Sequence, residues 1–458
     1  MTIARITAEA RRYAVRELGR RAGVAPGFLA LWRIEAGEQE TVVYPTAGNG
    51  KRVVFPNTTR TFHNGDFSTA RATWMSGVPS SLREQIPDFI IPFCPKDSAA
   101  TGHPLFMLHG DEARCSTDLL ASILYSLCRV EELADKSRDS HDRFPAAESV
   151  AGKEGFLHRP IVDELGLAFA EALQQLLPSW AAQPRELRIK VTHDIDLTGM
   201  PFSLRSAVGH FLERRKPRAA AWDCLSVAAR TEPAYLRAVR EVVRLARLHG
   251  LRSATYWKAS ARTDYDSGYD PRDPRISRVI QSLGESGVEL GVHPGYYTYR
   301  SPEELRKEVE CLKKIFGQSK LGGRQHYLRW HPESWVDWEI CGLSYDSSVG
   351  FAEVPGFRAG TAIPYRPWII QRNRKANLLE IPLILMDGTL GVYMKVLPET
   401  AYEIAANIIL RCELVGGVFT FLWHNSALLD PRYGDFYQQL LKKLEHSANY
   451  EWENDFDA

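Results

Sequence analysis

The sequence predicts an α/β fold in which a parallel-stranded barrel follows a smaller α+β N-terminal domain. The first observation behind this prediction is that short apolar runs alternate with helical patterns after residue 186. Strands that alternate with helices pair in parallel, and seven such units favour a barrel over an open sheet. The second observation is that the preceding residues alternate strand-like runs with loops. The seven predicted strands are residues 187–192, 251–257, 287–292, 321–325, 343–345, 378–385 and 418–423.

The N-terminal region carries signals for a hairpin and for two helices. Strand-like runs at 41–44 and 52–55 flank an Asn-Gly dipeptide, which is a strong turn signal. Ser116-Thr117-Asp118 is predicted to cap a helix whose apolar residues recur at helical spacing, and a second amphipathic helix is predicted over 161–177. Pro184 marks a boundary beyond that helix. The predicted domains are residues 1–184 and 185–458.

Two helices of the second region have clear predicted ends. One opens at Ser301-Pro302-Glu303-Glu304, a capping box with proline at the first helical position. It ends at Gly317, because glycine accepts the left-handed conformation that closes many helices. The other is predicted over about 398–414. Helices between strands are what parallel pairing requires.

Composition and charge narrow the class of protein. Of the 458 residues, 44% are hydrophobic and 25% are charged, as in a soluble globular protein. The formal net charge of +1 provides no field that would attract nucleic acid. The sequence shows neither a signal-peptide core nor an apolar run of about 18 residues that could span a bilayer. The seven cysteines are scattered, which argues against a disulfide framework and a thiolate zinc site. These features predict a cytoplasmic protein.

Titratable residues follow four of the predicted strands, at the point where each strand ends. Chemistry in parallel barrels takes place at the carboxyl ends of the strands, so these residues are expected to meet at one rim. An enzyme needs an acid, a base and often a metal at such a rim. The four endings are His193-Asp194-Ile195-Asp196, His293-Pro294-Gly295-Tyr296-Tyr297, Arg324-Gln325-His326-Tyr327 and Trp423-His424-Asn425.

The two aspartates of the first ending favour a charged site. Asp194 and Asp196 are two residues apart, so in extended backbone both carboxylates point to the same side. Two carboxylates that close cannot both stay ionised unless a cation compensates, and a divalent metal bound by one of them would do so. Arg324 follows an apolar strand and needs a partner, for which Asp194 is the obvious candidate. His424 is expected at the mouth of the buried strand 418–423.

The order and spacing of these motifs resemble the polysaccharide deacetylase superfamily (NodB homology, carbohydrate esterase family 4). They are most similar to its HDVD-type bacterial branch, in which a distinct N-terminal region precedes the deacetylase domain. The resemblance covers roughly 70% of the chain. The matching motifs are Thr192-His193-Asp194-Ile195-Asp196, Gly291-Val292-His293-Pro294-Gly295-Tyr296, Arg324-Gln325-His326-Tyr327-Leu328, Tyr345-Asp346-Ser347-Ser348, Gly356-Phe357-Arg358-Ala359-Gly360-Thr361, Leu422-Trp423-His424, Arg129-Val130-Glu131-Glu132 and Asp142-Arg143-Phe144-Pro145-Ala146.

This resemblance implies a distorted (β/α)7 barrel that hydrolyses an N-acyl or O-acyl group. Asp194 would be the general base that activates the attacking water, and His424 the general acid that protonates the leaving amine. Arg324 would orient and tune the base, whereas Asp196 and His293 would bind a divalent metal. These roles fit amide hydrolysis, which needs an activated water, a stabilised oxyanion and a proton for a poor leaving group.

The sequence departs from the superfamily pattern at two places. The usual metal motif carries two histidines four residues apart, and Tyr297 stands at the second position. Ile195 interrupts the usual pair of consecutive aspartates, so either Asp194 or Asp196 could be the base and the other the ligand. His326, at the next strand end, is the candidate for a third ligand. A carboxylate and two imidazoles suit zinc or another borderline divalent ion.

The predicted function is metal-dependent removal of an acetyl-type N-acyl group from a sugar or glycan, in polysaccharide or glycoconjugate metabolism. Tyr296, Tyr297 and Trp423 are the predicted substrate-binding residues, and Tyr265-Asp266 either lines the groove or forms an ordinary turn. Two alternatives stay open. One is a degenerate, non-catalytic barrel that binds a glycan or scaffolds a complex, which the missing second histidine motivates. The other is a metal-independent amidohydrolase that acts on a small non-sugar amide.

Overall fold

The structure is a computed structural model that describes residues 2–46, 50–63, 67–75, 78, 80–95, 102–199 and 232–456. Strands β2, β3, β4, β9 and β8 form one sheet in that order, and β1–β5 and β6–β7 form two pairs. Strands β3 and β4 are antiparallel, which confirms the predicted pairing, although Asn49 of the turn lies outside the described residues. The strands before residue 188 are β1 Thr2–Arg5, β2 Arg33–Ala36, β3 Glu40–Tyr44, β4 Arg52–Pro56, β5 Thr61–His63, β6 Phe67–Ala72, β7 Phe89–Pro95, β8 Phe106–His109 and β9 Glu112–Cys115.

Helices pack against these strands and against one another. They are α1 Ala8–Arg21, α2 Pro26–Ala30, α3 Ser80–Gln85, α4 Leu119–Leu127, α5 Val130–Ala134, α6 Val150–Lys153 and α7 Ile161–Leu176. Both predicted helices are confirmed, as α4 and α7. Of the predicted capping segment Ser116-Thr117-Asp118, Asp118 is the cap of α4, because its carboxylate accepts a hydrogen bond from the backbone N–H of Ala121 at 3.1 Å. Helix α1 packs against α4 and α7.

The second region is built on a parallel sheet, and every one of the predicted strand runs contributes to it. The sheet order is β17-β14-β13-β12-β11-β10-β19-β18, with β20 also paired to β10. Its strands are β10 Arg188–Asp194, β11 Ser253–Trp257, β12 Glu289–Val292, β13 Gly322–Gly323, β14 Tyr345–Asp346, β17 Leu379–Glu380, β18 Leu385–Met386, β19 Val418–Leu422 and β20 Ala448–Asn449. A separate antiparallel pair is formed by β15 Trp368–Ile369 and β16 Arg374–Lys375.

The sheet curls because one chain segment belongs to both of its ends. Strand β17 pairs with β14 at one end of the sheet, and strand β18 pairs with β19 at the other end. In the sequence, β17 lies within the single predicted strand 378–385, and β18 begins at its last residue. Pro382 has no backbone N–H to donate, so it interrupts the ladder between them. Beyond it, the N–H of Ile384 donates to the carbonyl of Thr420 at 3.0 Å. The result is a curled parallel sheet, consistent with a distorted barrel.

The helices of this region are α8 Ala234–Leu248, α9 Pro274–Glu285, α10 Pro302–Phe316, α11 Ser334–Ile340, α12 Pro398–Leu414, α13 Pro431–Lys443 and α14 Trp452–Phe456. The two predicted helices are α10 and α12, and Gly317 closes α10 with a left-handed φ of 66°. The prediction of a capping box at the start of α10 is wrong. The Ser301 side chain accepts no capping hydrogen bond, and the Ser301 ψ of 79° departs from extended backbone.

No helix within the described ranges combines the length and apolar character that crossing a membrane requires.

Buried charges connect the N-terminal region to the parallel sheet region. Glu132 is fully buried and accepts hydrogen bonds from Arg358 Nε at 2.9 Å and Nη2 at 2.6 Å, and from Arg129 Nε at 2.8 Å. Asp163 of α7 accepts from the backbone N–H of Ala362 at 2.6 Å. Glu132 and Asp163 also have partners within the N-terminal region, but their full set of hydrogen bonds forms only when both regions are in place. The contact between the regions is therefore part of the folded core.

Candidate active site

A pocket of about 190 Å³ opens at the carboxyl end of the parallel sheet. All four strand endings singled out in the sequence reach it, through Asp194 at the end of β10, His293 after β12, His326 after β13 and His424 after β19. These strands lie between β13 and β19 in the order β13-β12-β11-β10-β19, and the curl of the sheet brings the outer ends together. The predicted convergence on one rim is present.

Asp194 and Arg324 form a buried ion pair at this rim. Arg324 Nη1 donates to Asp194 Oδ1 at 3.0 Å and to Thr192 Oγ1 at 2.9 Å. The same guanidinium donates from Nε to the carbonyl of Ser347 and from Nη2 to its hydroxyl, both at 2.9 Å. Arg324 is thus held from two sides. It fixes one oxygen of Asp194 and leaves the other turned towards His293, whose Nδ1 is 3.6 Å away.

Glycine at position 323 allows this arrangement. A Cβ atom built on Gly323 would lie 1.8 Å from the carbonyl oxygen of Val292, which no side chain tolerates. Strand β13 therefore approaches β12 closely, and the N–H of Arg324 donates to that same carbonyl at 3.0 Å. The close approach places the arginine immediately beyond the strand, beside Asp194.

Asp196, His293 and His326 form a cluster that could hold a metal. One ligand atom from each lies within 4.8 Å of the others. His293 Nε2 is 3.2 Å and His326 Nε2 is 3.3 Å from Asp196 Oδ1. Asp196 belongs to this cluster and Asp194 does not. Among the residues that the structure describes, no fourth protein ligand joins the three.

The imidazoles of this cluster are oriented as metal ligands require. His293 Nδ1 lies 2.7 Å from the carbonyl oxygen of Arg324, which can only accept, so Nδ1 carries a proton and the neutral ring has its lone pair on Nε2. That Nε2 is buried without a hydrogen-bond partner in the described part of the chain. His326 Nδ1 lies 2.8 Å from Asp266 Oδ1 in the same manner. Burial lowers the pKa of His326 to about 4, so the ring is neutral at pH 7. The residues fit a divalent metal.

His424 lies on the side of the pocket that faces the two aspartates. Its Nδ1 lies 2.7 Å from Asp387 Oδ1, and its Nε2 is 3.5 Å from Asp196 Oδ2. Burial by itself would lower the pKa of His424, but the carboxylates of Asp387, Asp196 and Asp194 outweigh it and raise the pKa to about 9. Asp387 also fixes the ring through Nδ1, which turns Nε2 towards the pocket. A protonated Nε2 can serve as a proton donor there.

Replacing Asp387 by asparagine should lower the pKa of His424, because the carboxylate that most stabilises the charged ring is gone. We expect the imidazole of the variant to lose its proton at a lower pH than the imidazole of the natural sequence. NMR titration of the His424 ring measures the difference. Asp270→Asn, at an exposed aspartate away from the pocket, is the matched control, and an unmoved titration in Asp387→Asn would contradict the role given to Asp387.

The sequence analysis missed three residues: Arg143, which lines the pocket, and Lys258 and Asp387, which contact the pocket residues Asp196 and His424. Lys258 and Asp387 directly follow strands β11 and β18, so the rule that selected the other strand ends would have found both. Arg143 comes from the N-terminal region and lines the pocket, where its Nη1 donates to the Tyr327 carbonyl at 3.0 Å and to the Tyr393 hydroxyl at 3.2 Å. Its motif was noticed only through the family resemblance. No local signal places it at the pocket.

The predicted substrate-binding aromatics occupy three different environments. Tyr297 is 56% exposed, and Tyr296 is buried at the rim with its ring stacked on Tyr265 at 3.9 Å between centroids. Trp423 is fully buried and stacks on Tyr437 at 5.0 Å. Successive residues along a strand face opposite sides, so Leu422 points into the pocket and Trp423 points away from it. The structure therefore places Trp423 in the core.

Parts of the chain are similar to known proteins. Residues 32–178 match the model of DUF7033, a family of unknown function, and no curated protein matches the chain. Three solved structures are similar over 61% of this chain. One is named as a polysaccharide deacetylase from Mycobacterium smegmatis, with 14% sequence identity, 91% of that chain covered and a TM-score of 0.41. The second is PuuE allantoinase, with 14% identity, 94% coverage and a TM-score of 0.40, and the third is named as a polysaccharide deacetylase from Pseudomonas aeruginosa PAO1, with 15% identity, 95% coverage and a TM-score of 0.39. With TM-scores below 0.5, these similarities carry no argument about what this chain does.

Proposed function

We propose that this chain hydrolyses an N-acyl group of a sugar or glycan, with Asp194 as the general base and His424 as the general acid. The observation that carries the proposal is that a paired carboxylate and a cationic imidazole line one pocket. Arg324 holds the Asp194 carboxylate at 3.0 Å, and Asp387 keeps the pKa of His424 high, at about 9. The carboxylate can take a proton from water while the imidazolium gives one to the leaving amine.

The adjacent cluster supports a divalent metal in this reaction. Asp196, His293 and His326 would hold it, and one carboxylate with two imidazoles suits zinc. When bound, the ion supplies the positive charge that polarises the acyl carbonyl. The protein's own part is to orient the two imidazoles through their Nδ1 partners. Because Asp194 lies outside the cluster and pairs with Arg324, we assign it as the base and Asp196 as the ligand.

The wall of the pocket supports a short acyl group. Leu328, Ala352, Met386 and Leu422 belong to one buried apolar cluster, and all four line the pocket. At about 190 Å³ the pocket is smaller than the roughly 300–1,000 Å³ of sites that enclose a whole drug-sized ligand. Such a space accepts only one end of a larger substrate. An acetyl-type group fits both its size and its apolar wall.

The rim of the pocket supports a sugar beyond the acyl group. Tyr265, Tyr297 and Tyr393 are each more than a third exposed, and Tyr265 stacks on Tyr296. Exposed tyrosines offer a flat apolar face together with a polar hydroxyl, which suits the amphipathic faces of sugar rings. Arg143, held by Tyr393, adds a hydrogen-bond donor at the same rim. We therefore assign the rim to the carbohydrate part of the substrate.

The finer family assignments follow from the motifs. We infer that the curled sheet is a distorted (β/α)7 barrel of the polysaccharide deacetylase superfamily, in its HDVD-type branch. Residues 1–184 would form the additional N-terminal domain of that branch. A cytoplasmic role in surface-polysaccharide or glycoconjugate assembly is part of the same inference.

A substrate panel tests the proposal. The protein is incubated with N-acetylated and N-formylated amino sugars and, in parallel, with ureides and simple non-sugar amides, each with zinc, cobalt or manganese and with a chelator. We expect acyl release from one or more amino sugars, stimulated by a divalent ion and followed by NMR of the released acid. Release from ureides or simple amides alone, or chelator-resistant turnover, would favour the metal-independent amidohydrolase. Glycan binding without any turnover would favour the non-catalytic barrel.

A further inference from the structure

A lysine ammonium lies inside the cluster assigned to the metal. Lys258 is the first residue after β11, and only 1% of it is exposed. Its Nζ lies 2.8 Å from Asp196 Oδ1, the oxygen that also faces both ligand imidazoles. The same Nζ is 2.9 Å from Nε2 and 3.1 Å from Nδ1 of His326, and 3.4 Å from Asp266 Oδ1. The ammonium thus contacts two of the three candidate ligands and the carboxylate that orients one of them.

The backbone of Lys258 is fixed relative to the aspartate turn. Its N–H donates to the Tyr269 hydroxyl at 2.9 Å, and that hydroxyl donates to the carbonyl of Ile195 at 2.8 Å. Ile195 is the residue between Asp194 and Asp196. The lysine is therefore anchored to the segment that it neutralises. Its position is built into the fold and does not depend on a flexible surface side chain.

Each aspartate of the pair has its own cation. Arg324 compensates Asp194, and Lys258 compensates Asp196. The negative charges of the two aspartates are therefore compensated by cationic side chains of the protein itself.

A divalent ion at the cluster would lie close to this ammonium. Nζ is nearly equidistant from the two ring nitrogens of His326, so it lies against the ring, and an ion coordinated by Nε2 would stand beside it. Like charges a few ångströms apart repel strongly away from bulk water. Both cations also draw on the same oxygen of Asp196. Asp266 Oδ1, 3.4 Å from Nζ, is an alternative acceptor to which the ammonium can turn.

We infer that Lys258 is the resident cation of the Asp196–His293–His326 cluster and competes with a divalent metal for Asp196. It neutralises the carboxylate in the metal-free protein, and it must turn away when an ion binds. The metal affinity of the natural sequence is therefore lower than its donor set alone would give. The inference concerns metal binding only and does not rest on the proposed hydrolysis.

Zinc affinity of charge variants at position 258 tests this inference. Lys258→Met keeps an unbranched side chain one atom shorter than lysine and removes its charge, whereas Lys258→Arg keeps the charge and is the matched control. The Kd for zinc is measured on the full chain by competition with a chromophoric chelator, and the visible absorption of bound cobalt reports the coordination. We expect Lys258→Met to bind zinc at least about tenfold more tightly than the natural sequence, and Lys258→Arg to gain nothing. Adding Asp196→Asn to Lys258→Met should abolish the tight binding.

Three outcomes would overturn the inference. They are an equal Kd in the natural sequence and in Lys258→Met, an equal gain in Lys258→Arg, and tight binding that survives Asp196→Asn. Lys258→Gln is a second neutral variant in which the same gain is expected, so the comparison stands if one variant fails to fold. Thermal unfolding checks the fold of each. No measurement here involves acyl release, so a negative result is distinct from failure of the proposed function.

Discussion

Replacing Asp194 by asparagine should reduce acyl release by about 10²–10⁴-fold, because removal of a positioned general base costs that much. The substitution keeps the size of the side chain and its contact with Arg324, but the amide cannot take a proton from water. The loss should fall on amide and on activated ester substrates alike, since both need an activated nucleophile. Steady-state rates on the best amino-sugar substrate and on its p-nitrophenyl ester analogue measure it.

His424→Gln should separate those two substrates. An amine leaves poorly without a proton, so turnover of the amide should fall by about 10²–10⁴-fold. A p-nitrophenolate leaves without protonation, so the ester rate should fall far less. His63→Gln, at an exposed histidine of β5, is the matched control and should be unchanged. Equal losses on both substrates would show that His424 does not act as the acid, and near-normal turnover in both pocket variants would remove the proposed mechanism.

Replacing Glu132 by alanine should cost about 3–5 kcal/mol of the free energy of unfolding, because breaking a buried ion pair leaves an uncompensated charge. Arg358 loses both of its carboxylate hydrogen bonds, at 2.6 and 2.9 Å, and stays buried. The pair joins the N-terminal region to the parallel sheet, so the two regions should lose stability together. Urea unfolding followed by tryptophan fluorescence measures the change.

An exposed glutamate provides the control for this stability prediction. Glu148 forms a solvent-exposed ion pair with Lys153 at 3.0 Å, so Glu148→Ala should cost no more than about 1 kcal/mol. A loss below about 1 kcal/mol in Glu132→Ala as well would contradict the expected role of the buried pair. A loss confined to an early transition, with the main transition unmoved, would show that the two regions unfold independently.

The sequence predicted the strands of the parallel sheet because strands buried on both faces must be apolar along their length. The run 418–423 shows this, since every residue of β19 is buried. The run 378–385 was predicted as one strand, and the structure divides it into β17 and β18 at Pro382. Apolar patterning reports burial, but it does not report which neighbour a strand pairs with, and only the closure of the sheet decides that.

By itself, the sequence determined the chemistry available at the rim, since Asp194, Asp196, His293, His326 and His424 all follow apolar strands whose carboxyl ends meet. The sequence also indicated Arg324 as the partner of Asp194. Only the tertiary structure decided the partners of the other groups, because electrostatic and hydrogen-bonding partners act over a few ångströms and come from distant parts of the chain. Asp387, for example, is 37 residues from His424. Lys258 directly follows a predicted strand, but its contact with Asp196 exists only once the strands have closed around the pocket.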